Sequence, residues 1–276
     1  MKNRIIPVLW AILFFICLSC CIKRTNESLK PIAILGAFSD EIKMLEDSLT
    51  EARIVETGGI HFIQGKLRGK EVVIAFTGIG KVNASMTTTL VIDHFKPSKV
   101  IFTGIAGGLN PELKPTDILV AEKCVQHDLN YVYDDSLVSY PVSSPITDKV
   151  NPLFYTSDSL MLGIVKEKFP GIKLASYTIG DDMYQPKIMT GIIATGDGFI
   201  ASGIKKEELI SRFGADAVEM EGAAVAQVCY QQNVPFILIR SISDSADENA
   251  NMDVDKFLHV AAENANRVVI ALLEGL

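Results

Sequence analysis

The 276-residue sequence contains few cysteines and few histidines, and their positions exclude several classes of site. Beyond the first 21 residues only Cys124 and Cys229 remain, each in an apolar stretch, which excludes a disulfide framework and favours core thiols. The four histidines are scattered, no Cys/His spacing matches a zinc site, and no Ser/His/Asp order surrounds a nucleophile elbow. We therefore expect no metal site and no cofactor.

Basic residues are outnumbered by acidic ones. Lys and Arg total 26 against 33 Asp and Glu, which gives a formal net charge of −7. This balance provides no broad basic surface, so it disfavours nucleic acid and other polyanions as partners and favours a small-molecule substrate. Hydrophobic residues make up 48% of the chain, enough for the core of one globular domain.

The N-terminal residues are predicted to lie outside the fold. The basic start MKNR is followed by the apolar run IIPVLWAILFFICL and then by SCC, the pattern of an export signal. The apolar run has about fifteen residues, short of the roughly twenty that a membrane-spanning helix needs. A cysteine directly after this run resembles a bacterial lipoprotein cleavage site, which makes Cys20 the expected lipid attachment and Cys21 the alternative.

We therefore divide the chain into a signal peptide (1–19), a polar tether (20–30) and one globular domain (31–276). The tether would join the domain to its lipid, since the segment is short and polar. The expected location is outside the cytoplasm, on a bacterial membrane, in the periplasm or at the cell surface. The membrane is then a partner only through the lipid.

From residue 31 the chain alternates apolar, β-branched runs with segments of helical period, which predicts an α/β domain around a central sheet. Residues 130–186 are the least regular part and are predicted to hold one helix and surface loops. The predicted strands are 31–37, a hairpin of 60–69 and 70–78, 99–108, 116–126, 188–197, 215–218 and 234–244. The predicted helices are 38–49, 81–95, 158–169, 205–213, one following residue 221, and 254–273.

The stretch AVEMEGAAVA (217–226) places Glu219 and Glu221 close together in an otherwise apolar or small-residue run. One interpretation makes them first-turn acids of a helix, facing the positive end of its dipole. The other places them at a strand-to-helix junction, where residues two apart share one side of the extended chain and face a common cavity. A buried acid needs a partner, and the sequence shows none nearby.

Open α/β sheets bind ligands at the carboxyl ends of their strands. Three such ends carry acids, namely Glu41, the pair Glu219 and Glu221, and Asp244, for which a helix N-cap is the alternative role. The glycine segments TGIGK and TGIAGG complete neither a dinucleotide motif nor a P-loop, and are typical of close backbone approach. The rule selects segments 38–41, 103–108, 196–200, 218–222 and 241–247.

The chain resembles the 5′-methylthioadenosine/S-adenosylhomocysteine nucleosidase branch of the nucleoside phosphorylase family in motifs that occur in family order. These motifs are PIAILGAFSDEIKML, TGIGKVNASMTTTLVIDHFKPSKVIFTGIAGGL, ATGDGFI, AVEMEGAAVAQVC and VPFILIRSISDSAD, followed by DKFLHVAA. The resemblance covers residues 31–275 apart from the irregular middle. It implies a nucleosidase domain built as a three-layer α/β sandwich around a central mixed β-sheet. It also implies a homodimer that hydrolyses the bond between adenine and a 5′-thio-substituted ribose.

Carried onto this sequence, the resemblance makes Glu41 the water-activating base and Asp244 the acid that protonates the purine. It implies that Glu221 grips the ribose hydroxyls, that Ser243 positions Asp244, and that Arg240 joins the carboxylate and water network near Glu41. The other implied substrate-binding residues are Phe199 and Ile200 against adenine, Met220 against sugar and base, Phe38, and Glu219, whose role the motif leaves undefined.

An acid at the end of the first strand also favours water over phosphate as the nucleophile, because a carboxylate repels phosphate and can deprotonate water. Two positions depart from the family pattern. Ile105 replaces the small hydroxylated residue common in TG-x-AGG, and Val254 replaces an aromatic residue that covers the substrate from a neighbouring subunit. Both departures are expected to change affinity and the preferred 5′-substituent while leaving the chemistry intact.

Two alternative functions remain open at the level of sequence. One is a related enzyme for another nucleoside, such as a futalosine hydrolase or a nucleoside phosphorylase. The other is an exported nucleoside-binding lipoprotein without turnover. The presence of Glu41, Asp244 and Glu221 together favours an enzyme, because a binding protein needs neither a general acid nor a general base.

Overall fold

The computed structural model describes residues 30–179 and 182–276. The predicted signal peptide, the tether up to residue 29 and the lipid site Cys20 lie outside the described residues. Within the described ranges, no helix combines the length and the apolar character needed to cross a bilayer.

The described chain alternates strands and helices from its first residues to its last. Its strands are β1 (Ile32–Gly36), β2 (Thr50–Thr57), β3 (Ile60–Leu67), β4 (Lys70–Phe76), β5 (Lys99–Gly108), β6 (Ile118–Gln126), β7 (Asn130–Val132), β8 (Leu137–Ser139), β9 (Phe154–Thr156), β10 (Tyr177–Ile179), β11 (Asp182–Tyr184), β12 (Ile188–Thr195), β13 (Ala217–Glu219) and β14 (Phe236–Asp244). Its α-helices are α1 (Ser39–Asp47), α2 (Lys81–Phe95), α3 (Ser159–Lys168), α4 (Gly203–Phe213), α5 (Gly222–Gln231) and α6 (Ala250–Gly275).

The central sheet is mixed, with strand order β13-β12-β6-β14-β5-β1-β4-β3-β2, and β9 pairs with β6. Strand β1 runs parallel to both β4 and β5, and β14 runs parallel to β5. Strand β13 pairs with β12 and also, antiparallel, with the glycine end of β5. Strands β5, β14, β6, β12 and β13 therefore close into a ring at one end of the sheet.

Helices cover both faces of the sheet because successive strand residues point to opposite sides. On β1, Ile32 and Ile34 pack with α1, α3 and α6, whereas Ala33 and Leu35 pack on the other side with α2 and α5. This arrangement confirms the predicted three-layer sandwich around a mixed sheet.

Three parts of the fold differ from the sequence-based expectation. Strand β2 was not predicted, because it is an edge strand whose residues are mostly exposed and so lack an apolar alternation. The irregular segment 130–186 holds the predicted helix as α3. It also holds short strands of three residues each, which are too short to show an apolar alternation. Helix α6 begins at Ala250, ahead of the predicted start at residue 254.

Candidate active site

A pocket of about 210 Å³ opens where β1, β5, β13 and β14 end. The loop after β12 and the start of α6 complete its wall. Every predicted catalytic and substrate-binding residue lines this pocket except Arg240, which lies behind it and is fully buried. Parallel strands place their carboxyl ends at one edge, so segments far apart in the sequence converge here.

Glu41 lies in the first turn of α1, and its carboxylate is held by backbone amides. The N–H groups of Ala37 and Phe38 donate to Oε2, the latter at 3.2 Å, and the N–H of Ile105 donates to Oε1 at 3.0 Å. Burial raises the pKa of Glu41, while Arg240 and these amides oppose the rise. A carboxylate that is fixed in place and has a raised pKa is a stronger base than an exposed carboxylate.

Arg240 stands between the acids and the core. A Cβ atom on Gly104 would overlap both Glu41 Oε1 and Arg240 Nη1, so glycine allows these two groups to approach each other across β5. The guanidinium carbon lies 4.3 Å from the ring centroid of Phe102, which stacks beneath it. Arg240 thus supplies buried positive charge without facing the pocket.

The carboxylate of Glu219 forms its hydrogen bonds with other residues of the protein on β12, α5 and β14. Its Oε2 accepts from Arg240 Nη2 at 2.5 Å and from the N–H of Gly222 at 2.7 Å, and its Oε1 accepts from the hydroxyl of Thr195. The N–H of Glu221 also donates to it, at 3.1 Å. Glu219 therefore satisfies the first amides of α5 and neutralises Arg240, which leaves little capacity for a ligand.

Glu221 has a different environment two residues further on. Its Oε1 accepts from the N–H of Gly80 at 2.8 Å, and its Oε2 lies 3.6 Å from Arg240 Nη2. Burial and the neighbouring Glu219 raise the pKa of Glu221 to about 8, although Arg240 and the Gly80 amide oppose them. The first interpretation is wrong, because Glu219 ends β13 and Glu221 precedes the first residue of α5, Gly222. The strand-to-helix junction is confirmed, and both acids line the cavity there.

Asp244 ends β14 with its carboxyl group buried. The hydroxyl of Ser243 lies 2.7 Å from Oδ2, and the N–H of Ala246 donates to Oδ1 at 2.8 Å. Burial raises the pKa of Asp244, and these two donors oppose the rise. The Ser243 hydroxyl also lies 3.3 Å from the carbonyl of Ala106, so it can donate there when Asp244 is protonated.

The remaining walls are mostly apolar. Phe199 and Ile200 follow β12, and Met220 separates the two glutamates. Val254 lines the pocket from the same chain, so its contribution here does not require a neighbouring subunit. Ile105 also lines the wall and reaches Glu41 through its backbone.

Gly80 makes a contact in the candidate site that the sequence did not reveal. The segment TGIGK looked like an incomplete phosphate loop, yet its backbone N–H binds the Glu221 carboxylate across the pocket. Ile79 of the same segment lines the wall. A sequence motif describes side chains, so it does not identify a backbone N–H that binds another residue. The only signal was a pair of glycines, Gly78 and Gly80, directly before the start of α2.

Among the described residues that line the pocket there are four carboxyl groups and no Lys, Arg or His. No group of three or more His, Cys, Asp or Glu within residues 30–179 and 182–276 is arranged to hold a metal ion. The pocket is therefore acidic at its polar points and apolar elsewhere, which favours an uncharged ligand with hydrogen-bond donors.

The fold and the pocket together define a class of α/β enzymes that act on small molecules through buried carboxyl groups at the strand ends. Residues 31–274 match the Phosphorylase superfamily, and the chain belongs to this family.

Known relatives share this architecture over almost their whole length. A 5′-methylthioadenosine/S-adenosylhomocysteine nucleosidase from an Exiguobacterium species is 37% identical, over 89% of this chain and 98% of its own. The nucleosidase of that name from Neisseria meningitidis, solved with methylthio-immucillin-A, is 33% identical with a TM-score of 0.77, over 90% of this chain and 100% of that one. A futalosine hydrolase from Helicobacter pylori is 36% identical with a TM-score of 0.77, over 90% and 99%.

Proposed function

We propose that this protein hydrolyses the N-glycosidic bond of 5′-methylthioadenosine and S-adenosylhomocysteine, releasing adenine and the 5-thio-substituted ribose. The observation that carries the proposal is a single pocket with buried carboxyl groups on separate walls, Glu41 after β1 and Asp244 at the end of β14. One can serve the attacking water and the other the leaving base. The nucleosidase relatives support the choice of substrate.

Asp244 acts as the general acid. Cleavage proceeds through an oxocarbenium-like sugar, and adenine leaves more readily once its N7 is protonated. Burial raises the pKa of Asp244, which favours the protonated form that donates to the base, and Ser243 orients the carboxyl group. General acid catalysis of this kind contributes on the order of 10² to 10⁴ in rate.

Glu41 activates the water. Its two oxygens are fixed by three backbone amides, so the carboxylate keeps one orientation while it accepts the proton of water. The positive charge of Arg240, which lies behind the pocket, limits the rise in the pKa of Glu41. A preorganised negative charge also stabilises the developing positive charge on the sugar.

Glu221 binds the ribose hydroxyls. In the ligand-free pocket this group is largely protonated at neutral pH, because its pKa is about 8. Hydroxyl donors from the sugar favour the ionised form and supply the hydrogen bonds that burial removes. Glu219 and Arg240 act through Glu221 and α5, so they are positioning residues.

The acidic lining favours hydrolysis over phosphorolysis. A phosphorylase must hold an anionic phosphate beside the sugar, and the described lining offers four carboxyl groups and no cationic side chain for that purpose. The ionised carboxylate of Glu41 would raise the free energy of a phosphate bound beside it, and no cationic lining residue would offset this. Water meets no such repulsion.

Adenine release with and without phosphate tests the proposal. We expect methylthioadenosine to yield free adenine and methylthioribose at the same rate in both cases, and Glu41→Gln to lower kcat severely with little change in substrate binding. A phosphate-dependent rate that yields methylthioribose 1-phosphate would make the protein a phosphorylase. Release of base from futalosine but not from methylthioadenosine would favour the futalosine hydrolase alternative, and no turnover at all would leave a binding protein.

We further propose that the protein forms a homodimer. Apolar side chains are exposed beside the pocket, with Val82 of α2 at 79%, Ile79 at 56% and Met86 at 49% exposure. The β7–β8 hairpin adds Tyr131 and Val132, also exposed. A second copy covering these side chains would remove them from water and narrow the mouth of the site. Sedimentation of the purified domain measures the oligomeric state.

The export signal and the lipid on Cys20 also remain part of the proposal. They rest on the sequence pattern of residues 1–21, where a basic start, an apolar run and cysteines follow one another. The protein would then act outside the cytoplasm, attached to a bacterial membrane through its N-terminal lipid. Its substrates would be nucleosides present in that compartment.

A further inference from the structure

The backbone that carries Asp244 leaves β14 in a conformation that alanine rarely adopts. The register between β14 and β5 shifts between Ile242 and Asp244. Two residues further on, Ala246 has a φ of +51°, in the left-handed region, and it is fully buried. A residue with a Cβ atom keeps such a conformation only where the surrounding structure holds it there. The turn after β14 therefore depends on contacts with other elements.

One of these contacts comes from a lysine near the start of α4. The Nζ of Lys206 donates to the carbonyl of Ser245 at 2.8 Å and to the carbonyl of Gly108 at 3.1 Å. Ser245 directly follows the acid, and Gly108 ends β5. Lys206 thus joins the turn after β14 to the end of the neighbouring strand through two charge-assisted hydrogen bonds.

The preceding residue, Lys205, has different partners. Its Nζ lies 2.9 Å from both carboxylate oxygens of Glu208, one turn further along the same helix, in a partly exposed ion pair. Lys206 forms no ion pair with any of the residues that the structure describes, and its ammonium group binds the two backbone carbonyls instead. Two adjacent lysines therefore differ in one respect, since only Lys206 contacts the turn that follows the acid.

The end of β5 and this turn meet beside the carboxyl group of Asp244. A Cβ atom on Gly107 would lie 2.9 Å from Asp244 Oδ1 and 3.2 Å from the Cβ of Ala246, so the strand passes directly beside the acid. The turn also supplies the N–H of Ala246, which donates to Oδ1. Movement of the turn away from β5 would therefore displace the carboxyl group and weaken one of its hydrogen bonds.

We propose that Lys206 is a positioning residue for the general acid. It holds the turn after β14 against the end of β5, and so fixes the place of the Asp244 carboxyl group. The inference deepens the proposed function and rests on the role of Asp244 as the acid. Lys206 does not line the pocket, so it acts through the turn and not on the ligand. Its loss should therefore slow the chemical step and leave ligand binding nearly unchanged.

Steady-state kinetics of Lys206→Met with methylthioadenosine test the inference. Methionine keeps an unbranched side chain but removes the charge and the N–H donors. We expect kcat to fall about tenfold and KM to stay within about twofold of the parent, because a misplaced acid slows the chemical step. Lys205→Met is the matched control and should keep both constants. An unchanged kcat in Lys206→Met, an equal loss in both variants, or a raised KM at unchanged kcat would overturn the inference.

Hydrogen exchange at the N–H of Ala246, followed by NMR, gives a second readout that does not depend on turnover. We expect exchange about tenfold faster in Lys206→Met than in the parent and in Lys205→Met, since loss of a charged hydrogen bond favours local opening of the turn. Equal exchange rates in all three proteins would overturn the inference even if kcat fell. A parent that releases no adenine would overturn the proposed function, whereas an active parent matched by Lys206→Met would overturn this inference alone.

Discussion

At the scale of single residues, the site contains two buried acids, Glu219 and Glu221, that are close in sequence but differ in the partners that compensate their charge. Glu219 is compensated inside the protein by Arg240 and by the first amides of α5. Glu221 has one amide partner and a more distant Arg240, and its pKa rises to about 8. The ligand-free protein therefore holds an incompletely compensated carboxyl group ready for a ligand with hydroxyl donors.

We predict that Glu221→Gln stabilises the ligand-free protein increasingly as pH rises. The folded pKa of about 8 lies above the usual value of 4.5, so the folded state binds a proton that the unfolded chain releases between these values. The parent is therefore unpenalised below pH 4.5, loses stability as pH rises towards 8, and carries the full penalty above it. Gln has no proton to lose. Melting temperatures of both proteins across this range measure the effect, and parallel curves would contradict it.

Asp244→Asn is predicted to lower adenine release by about 10² to 10⁴, because the amide keeps the shape of the side chain but cannot deliver the proton. Binding of a substrate analogue should stay within about tenfold of the parent, since the lost step is chemical. Single-turnover rates and analogue titration separate the two quantities. Retention of more than a tenth of the activity would show that another group supplies the proton.

The same raised pKa sets the pH dependence of the reaction. Asp244 must be protonated to act, and its pKa is raised by burial, so kcat should fall as pH rises through that pKa. Ser243→Ala removes a donor that favours the ionised carboxylate, which should raise the pKa of Asp244 and move the alkaline limb to higher pH. Profiles of kcat against pH for the parent and Ser243→Ala measure the shift, and an opposite shift would contradict the role of Ser243.

At the scale of secondary-structure elements, β5 permits the site by lacking a side chain at Gly104. We predict that Gly104→Ala lowers activity strongly, because its Cβ would overlap Glu41 and Arg240 and displace the base from its amides. Gly163→Ala in α3 is the matched control, since nothing lies within 4 Å of the added Cβ and alanine favours a helix by about 1 kcal/mol. Gly104→Ala should therefore lower adenine release, whereas Gly163→Ala should leave adenine release unchanged and raise the melting temperature slightly. Full activity in Gly104→Ala would contradict this account of β5.

The elements themselves were largely predictable, and the contacts between them were not. Buried strands such as β5 and β14 carry long β-branched runs, which identify them without a structure. Edge strand β2 lacks that pattern because most of its side chains face water. The partner of Glu219 lies on a different strand, and a single sequence has no signal that pairs Glu219 with Arg240. A sequence likewise does not identify a backbone donor such as the Gly80 N–H, which binds Glu221.

At the scale of the whole molecule, the proposed attachment to a membrane depends on one cysteine, Cys20. We predict that Cys20→Ala prevents labelling with a palmitate analogue and releases the protein from membranes on expression of the full chain. Cys21→Ala is the matched control and should remain labelled. Labelling that persists in Cys20→Ala and disappears only when Cys21 is also changed would move the lipid to Cys21. An unlabelled, unprocessed parent would contradict the signal-peptide interpretation.

The direction of β1 has a consequence for an anchored enzyme. The chain enters this strand at Ile32, whereas the catalytic pocket begins beyond its far end, after Gly36. Five residues of extended strand separate the two by about 17 Å. A lipid tether would therefore attach at the start of β1, at the end of the strand away from the pocket. The opening of the pocket would then face the aqueous compartment. Nucleosides would reach it by free diffusion in water.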